Sequence, residues 1–415
     1  MTGKWALVRL GEGINVKHGF AFKGEYFSES GDEILITPGN FHEQGGFKYT
    51  PGKEKYYVGD YPSEYLCEKG DLVVAMTEQT DGLLGSTALV PENHKFLHNQ
   101  RIGLITFDSD NYCSLFLCYV FRTKNVRAQI AQSSSGSKVK HTSPNRICDV
   151  EIQKPPLKEQ VEIGDFLYSI DKKIELNNKI NAELEAMAKL IYDYWFVQFD
   201  FPDANGKPYK SSGGKMVYNE ALKREIPDGW KVQELHSIAS SIMGQSPKGK
   251  SYNHNGIGVP LLNGPADYKN GALFGRTYTT EPTRLCKKND MVLCIRATIG
   301  NLVYSEGEFC LGRGVAAVRP DDKIYSELIY FLLNQEIERF KTHATGSIII
   351  GITKADLIES KCLLPDEESL LEFHNIVKPI FDKQRKNKAE NIKLIELRDW
   401  LLPMLMNGQV TVKDS

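Results

Sequence analysis

None of the eight cysteines in this 415-residue chain forms a CxxC pair; they sit at 67, 113, 118, 148, 286, 294, 310 and 362. That spacing argues against a thiolate zinc site and makes reduced thiols, and a cytoplasmic location, the expectation. No apolar run approaches the ~18 residues a membrane span needs. The opening MTGKWALVRLGEG lacks the apolar core of a signal peptide. His94 and His98 have i,i+4 spacing in NHKFLHN, but no HExxH glutamate lies between them. Their neighbours read as a loop, so no metal is expected. There is no NPPF-like motif for amino methylation, no GxGxxG after a clean strand and no GxSxG elbow. A net charge of −2 and a composition of 41% hydrophobic and 25% charged residues describe an ordinary globular chain. A polyanionic partner would have to be argued from local patches.

What the sequence does contain is a repeat. YLCEKGDLVVAM (65–76) returns as RLCKKNDMVLCI (284–295), with Leu66, Cys67, Lys69, Asp71 and Val73 recurring 219 residues later. Trp5, Gly19 and Lys23-Gly24 match Trp230, Gly244 and Lys248-Gly249 at a displacement of 225. Gly136-Ser137 matches Gly346-Ser347 at 210, so the second copy has lost loop residues. Within each copy DLVVAM, STALV, IGLITF, MVLCI, LVY and GVAAV predict strands. One helix is expected around LFLCYVFRTKNVRAQI and one around SELIYFLLNQEIERF. Each copy therefore reads as a mixed α+β domain of about 140–150 residues.

A different kind of segment follows each copy. From residue 157 the chain has no proline and one glycine for nearly 40 residues, and Ile163, Leu167, Ile170, Ile174, Leu184, Ala188, Ile191 and Trp195 recur at heptad spacing. Asn177 and Asn181 interrupt that seam. After the second copy Phe373, Val377, Ile380, Leu394 and Leu401 repeat it, with Asn387 and Asn391 in the gap. Two long helices pairing antiparallel through these asparagines are expected, each about 60 Å long at ~1.5 Å per residue. Pro379 is expected to kink the second helix or to mark its start. The Gly-, Pro- and Ser-rich stretch between the first helix and the second copy predicts an irregular connector. The expected layout is a recognition-sized domain at 1–156, a helix at 157–199, a connector at 200–225, a second domain at 226–366, a helix at 367–406 and a tail. Internal pseudo-twofold symmetry follows from that order.

GQSPKGKS (244–251) fits the phosphate-loop pattern GxxxxGK[ST], which would make the chain a nucleotide-binding enzyme. The following YNHNGIGVP is a poor helix, and the first copy keeps only GxxxKG, a turn presenting Lys23 or Lys248. Local charge points elsewhere. Residues 111–148 contain no Asp or Glu but hold Arg122, Lys124, Arg127, Lys138, Lys140 and Arg146, a formal +6 beside His141. Smaller acid-free windows hold Arg276, Arg313 and Lys354. Cations without nearby carboxylates are what phosphate neutralisation requires.

The phrases KPPLKEQVEIGDFL (154–167), AELEAMAKLIYDYWFVQFDFP (182–202), EIPDGWKVQEL (225–235) and WLLPMLMNGQVTV (400–412) resemble the specificity subunits of type I restriction–modification systems. The resemblance covers nearly the whole chain. It implies two target recognition domains reading the halves of a bipartite double-stranded DNA site, spaced by the paired helices. It also implies docking to two methyltransferase subunits and to restriction subunits, with S-adenosylmethionine, ATP and Mg carried by those partners and no catalysis in this chain. DNA-contact candidates are Lys23, Thr77, Gln79, Lys138, Lys140 and His141 in the first copy. In the second they are Lys248, Lys250, Arg276, Arg296, Thr298, Asn301 and Arg313. A coiled-coil adaptor that does not bind DNA is the rival reading.

Overall fold

The computed structural model describes residues 5–78, 82–136, 139–269, 271–296, 298–343 and 351–412. The chain divides into two compact units, one of residues 1–175 with 392–415 and one of residues 176–391. Its helices follow in the order α1 (Ser114–Val120), α2 (Lys124–Ser133), α3 (Pro144–Cys148), α4 (Leu157–Tyr192), α5 (Ser326–His343), α6 (Lys354–Ile358) and α7 (Glu367–Met406). Both long helices, α4 and α7, contribute one part to each unit.

Each unit holds three sheets that the other repeats. In the first, a four-stranded antiparallel sheet runs Ile14–His18, Ile102–Phe107, Leu72–Ala75, Thr87–Leu89. In the second the equivalent order is Ala239–Met243, Val315–Pro320, Met291–Cys294, Gly300–Tyr304. A five-stranded sheet accompanies each, containing one parallel pair: Glu33–Ile36 with Phe96–His98, and Val259–Leu262 with Phe309–Leu311. A third element closes each copy, as Ala6–Arg9 pairs with Glu151–Lys154 and Lys231–Glu234 with Lys361–Leu364. Of the two histidines of NHKFLHN, His98 thus ends the strand Phe96–His98 instead of lying in the expected loop, and His94 precedes it. His98 is buried, its Nε2 lies 2.8 Å from the Ile102 carbonyl, and burial lowers its pKa to about 4.

The repeated phrase encodes a turn feeding a core strand. Asp71 accepts from the Glu68 amide at 2.9 Å, and Asp290 accepts from the Lys287 amide at 2.7 Å. The residue before each aspartate, Gly70 or Asn289, has positive φ (93° and 72°), a conformation glycine and asparagine tolerate. The strands that follow are entirely buried.

Local structure departs from the sequence reading in three further places. The single helix expected across 115–130 is split: Thr123 caps a second helix, its Oγ accepting from the Val126 amide. α7 begins at Glu367 and continues through Pro379, so the proline neither starts nor ends it. The stretch expected to be an irregular connector contains a hairpin, Met216–Asn219 with Arg224–Pro227. Its Phe201 ring stacks between Tyr209 and Trp230, each at 4.7 Å.

Within the second unit α4 and α7 run antiparallel. Asn177 donates to Asn391 Oδ1 at 2.9 Å, and Asn387 donates to Asn181 Oδ1 at 2.9 Å, so rising numbers on one helix meet falling numbers on the other. Asn391 donates to Asn178, and Gln384 donates to the Asn181 carbonyl. All four seam asparagines are buried. Each buried amide without a partner would cost about 1–3 kcal/mol, so the network penalises any shift in register.

Within the first unit the same helices meet through charge. Asp171 of α4 accepts from Arg122 and from Arg398 of α7, both at 2.6 Å, and from the Tyr119 hydroxyl of α1 at 2.7 Å. Burial alone would raise the Asp171 carboxyl, but the two guanidinium groups hold it below the usual carboxylate range. Gly164 lets α4 touch α1, since a Cβ there would lie 2.8 Å from Leu115 Cβ.

Candidate nucleic-acid interface

The cations of the first acid-free window separate into two groups. Arg122 is spent on Asp171. Arg127 turns inward and donates to the carbonyls of Phe121, Leu84 and Glu43 at 2.7, 2.6 and 2.9 Å. Burial pushes its pKa down to about 10, with Arg122 beside it adding to the effect. These two hold the loops rather than face solvent, which reduces the patch read from sequence. Lys124 and the partly exposed Arg146 remain at the surface.

Thr77 and His141 come together. Strand Thr77–Glu78 pairs antiparallel with Lys140–His141, and Thr77 Oγ1 lies 3.1 Å from His141 Nδ1. Lys140 sits 3.5 Å from Glu78, whose other oxygen accepts the Gly82 and Leu84 amides. Gln79 and Lys138 lie outside the described residues. Lys23 is exposed at the start of a short 3-10 turn, Gly24–Tyr26, with Glu25 4.0 Å away.

The second copy builds its equivalent turn, Gly249–Ser251, after Lys248, and exposes Lys248 and Lys250. That turn runs into strand Tyr252–Asn253, not an α-helix. GQSPKGKS therefore lacks the strand–loop–helix setting that a phosphate loop uses. Arg276 is exposed, 3.7 Å from Asp267. Thr298 donates its amide to the Arg296 carbonyl at 2.8 Å, and Asn301 occupies positive φ (53°) in strand Gly300–Tyr304.

Arg296 and Arg313 converge with Lys354 on a cleft of about 550 Å³ that no carboxylate among the described residues lines. Gly244 and Gly351 form part of its wall. A Cβ at Gly351 would lie 2.8 Å from Arg296 Cγ, so this glycine makes room for the arginine. Arg313 is positioned through its Nε, which donates to Ser246 Oγ at 3.3 Å. The first copy has a smaller cleft of about 220 Å³ bordered by Lys55, Asn99, Gln100 and Arg101. Gln100, Ser246 and Gly351 were not singled out from sequence. Aligning HNQRIGL (98–104) with LGRGVAA (311–317) around the following strand would have found Gln100 opposite Arg313.

The two copies of one fold, each followed by a long helix, coincide with two matches to one family model. The family model described as the type I restriction modification DNA specificity domain matches residues 2–186 and again 227–396. The chain belongs to this family. It is similar to the putative type I restriction enzyme MjaX specificity subunit of Methanocaldococcus jannaschii, with 27% identity over 370 residues, 86% of this chain and 83% of that one. It is also similar to the type I restriction enzyme HindI specificity subunit of Haemophilus influenzae, 24% identical over 68% of this chain and 73% of the relative. The crystal structure of the type I restriction–modification S subunit from M. genitalium shares the fold. The TM-score is 0.62 with 16% identity, covering 100% of this chain and 97% of that one. No helix among the described residues is long and apolar enough to cross a membrane.

Proposed function

We propose that this chain is the DNA specificity subunit of a type I restriction–modification complex, supplying recognition rather than catalysis. Each globular copy reads one half of a bipartite double-stranded site, and α4 and α7 set the spacing between the halves. The observation that carries this reading is the doubled match to the DNA specificity domain, falling on two copies of the same fold. The cleft bearing Arg296, Arg313 and Lys354, with no carboxylate among the described residues that line it, adds the electrostatics that a phosphate backbone needs. The partners are two methyltransferase subunits, which bring S-adenosylmethionine, and restriction subunits, which bring ATP and Mg. Lys23, Lys248, Lys250 and Arg276 contact phosphates, while His141, Arg296, Thr298, Asn301 and Arg313 lie at base edges or the adjoining backbone; Thr77, a candidate from sequence, is buried and instead positions His141.

The test is titration of the complex with its methyltransferase subunits against duplex DNA at several salt concentrations. Binding with log K falling steeply against log salt is expected, together with preference for one bipartite sequence. An adaptor of two protein-binding domains would show neither.

A further inference from the structure

The two copies correspond residue by residue around the loop that enters the core strand, because the same backbone hydrogen bonds recur. The Gly19 amide donates to the Ile102 carbonyl, and the Gly244 amide donates to the Val315 carbonyl. The Phe20 amide reaches His98, as the Gln245 amide reaches Leu311. The Met76 amide reaches Arg101, as the Ile295 amide reaches Gly314. Gly19 and Gly244 press on equivalent carbonyls, those of Asn99 and Gly312, at which a Cβ would come within 2.1 and 2.0 Å. All four correspondences are displaced by 213 residues on the acceptor side. They place Gln100 of the first copy opposite Arg313 of the second, each exposed on the loop that enters a core strand and each bordering a cleft, although the two clefts are otherwise lined by non-equivalent residues.

The frame is shared and the side chain differs, and the difference has a definite chemistry. A glutamine amide presents one donor and one acceptor, which matches the adenine N6/N7 edge. A guanidinium presents two parallel donors, which match guanine O6/N7. The Gln100 amide makes no side-chain hydrogen bond among the described residues, so its donor and acceptor are available. Arg313 spends Nε on Ser246, which leaves the paired Nη1 and Nη2 edge directed by an anchor instead of swinging on a flexible stem. A cation meant only for phosphate needs no such anchor.

We propose that Gln100 and Arg313 are the base readers at one equivalent position in the two recognition domains: Gln100 for an adenine in one half-site, Arg313 for a guanine in the other. Ser246 is a positioning residue for Arg313. This rests on the DNA-reading function above and adds which residues read and which base each takes.

The experiment uses the complex with methyltransferase subunits and its own target duplex. Each guanine and adenine of the target is replaced in turn by its 7-deaza analogue, which removes the N7 acceptor without altering the protein. One guanine in one half and one adenine in the other are expected to lose roughly tenfold or more in affinity on replacement. Arg313→Gln is then expected to abolish sensitivity at that guanine alone, Gln100→Arg at that adenine alone, and Ser246→Ala to weaken the guanine preference severalfold. The proposal is overturned if no single purine in either half responds, or if Arg313→Gln weakens binding to all duplexes equally, as loss of a phosphate contact would. If the unmodified complex shows no sequence preference at all, it is the DNA-reading function itself that fails.

Discussion

The two recognition copies share a backbone and differ in what they place on it. The Thr142 amide donates to the Met76 carbonyl and the Ile352 amide to the Ile295 carbonyl, one hydrogen bond written twice. One residue further along, Thr77 faces His141 in the first copy, whereas Arg296 faces Gly351 in the second. The anchorage to the long helices contrasts in the same way. With the asparagines aligned at a displacement of 210, Asp171 corresponds to Phe381 and Arg398 to Ala188. Asp171 gathers two arginines and a tyrosine, while Phe381 packs edge-on against Tyr330 at 4.9 Å and Phe331 at 5.9 Å. The lesson is that the strand frame and helix register are constrained, while a loop or anchor position is free to exchange polar for apolar chemistry.

The largest effects should come from breaking either anchor. Asp171→Ala leaves two poorly solvated guanidinium groups without a counter-charge and is expected to cost about 3–5 kcal/mol in denaturant unfolding. Phe381→Ala, which opens a cavity in an aromatic cluster, is expected to cost about 3–5 kcal/mol. The two differ in their pH dependence. The Asp171 carboxyl is depressed in the folded state, so its stabilisation is complete above the unfolded carboxylate range and is lost as pH falls through the lower folded value. A thermal scan from neutral pH downward should therefore narrow the gap between wild type and Asp171→Asn on acidification. The deficit of Phe381→Ala should not depend on Asp171.

A smaller effect sharpens the register claim. Asn177→Ala leaves the Asn391 carbonyl oxygen and Glu390 short of a donor and is expected to cost about 1–3 kcal/mol. The smallest is Lys23→Ala. It is expected to change stability by less than about 0.5 kcal/mol, because the side chain is exposed. It should also lower the slope of log K against log salt by about one.

Much of this contrast is written in the sequence, because turn chemistry is local. Asp71 and Asp290, with Gly70 and Asn289 before them, mark the same turn at 219 residues' distance. Heptad spacing likewise makes both long helices legible and their asparagine interruptions visible. Side-chain direction is not local. Arg122 and Arg127 look like members of a surface patch until the fold shows Asp171 and three carbonyls receiving them. The break between α1 and α2 depends on the Thr123 cap prevailing over an apolar run that reads as one helix. Gln100 escapes a search for acid-free windows because its significance lies in matching Arg313, which only the shared backbone hydrogen bonds establish.

The most direct measurement is the target motif of the complex, read as the methylated sequence in host DNA before and after residues 1–156 are exchanged for the same domain of a relative. If each copy reads its own half of the site, a single half of the motif changes, while the other half and the gap between them stay the same. A change in both halves, or in neither, would contradict that division of labour.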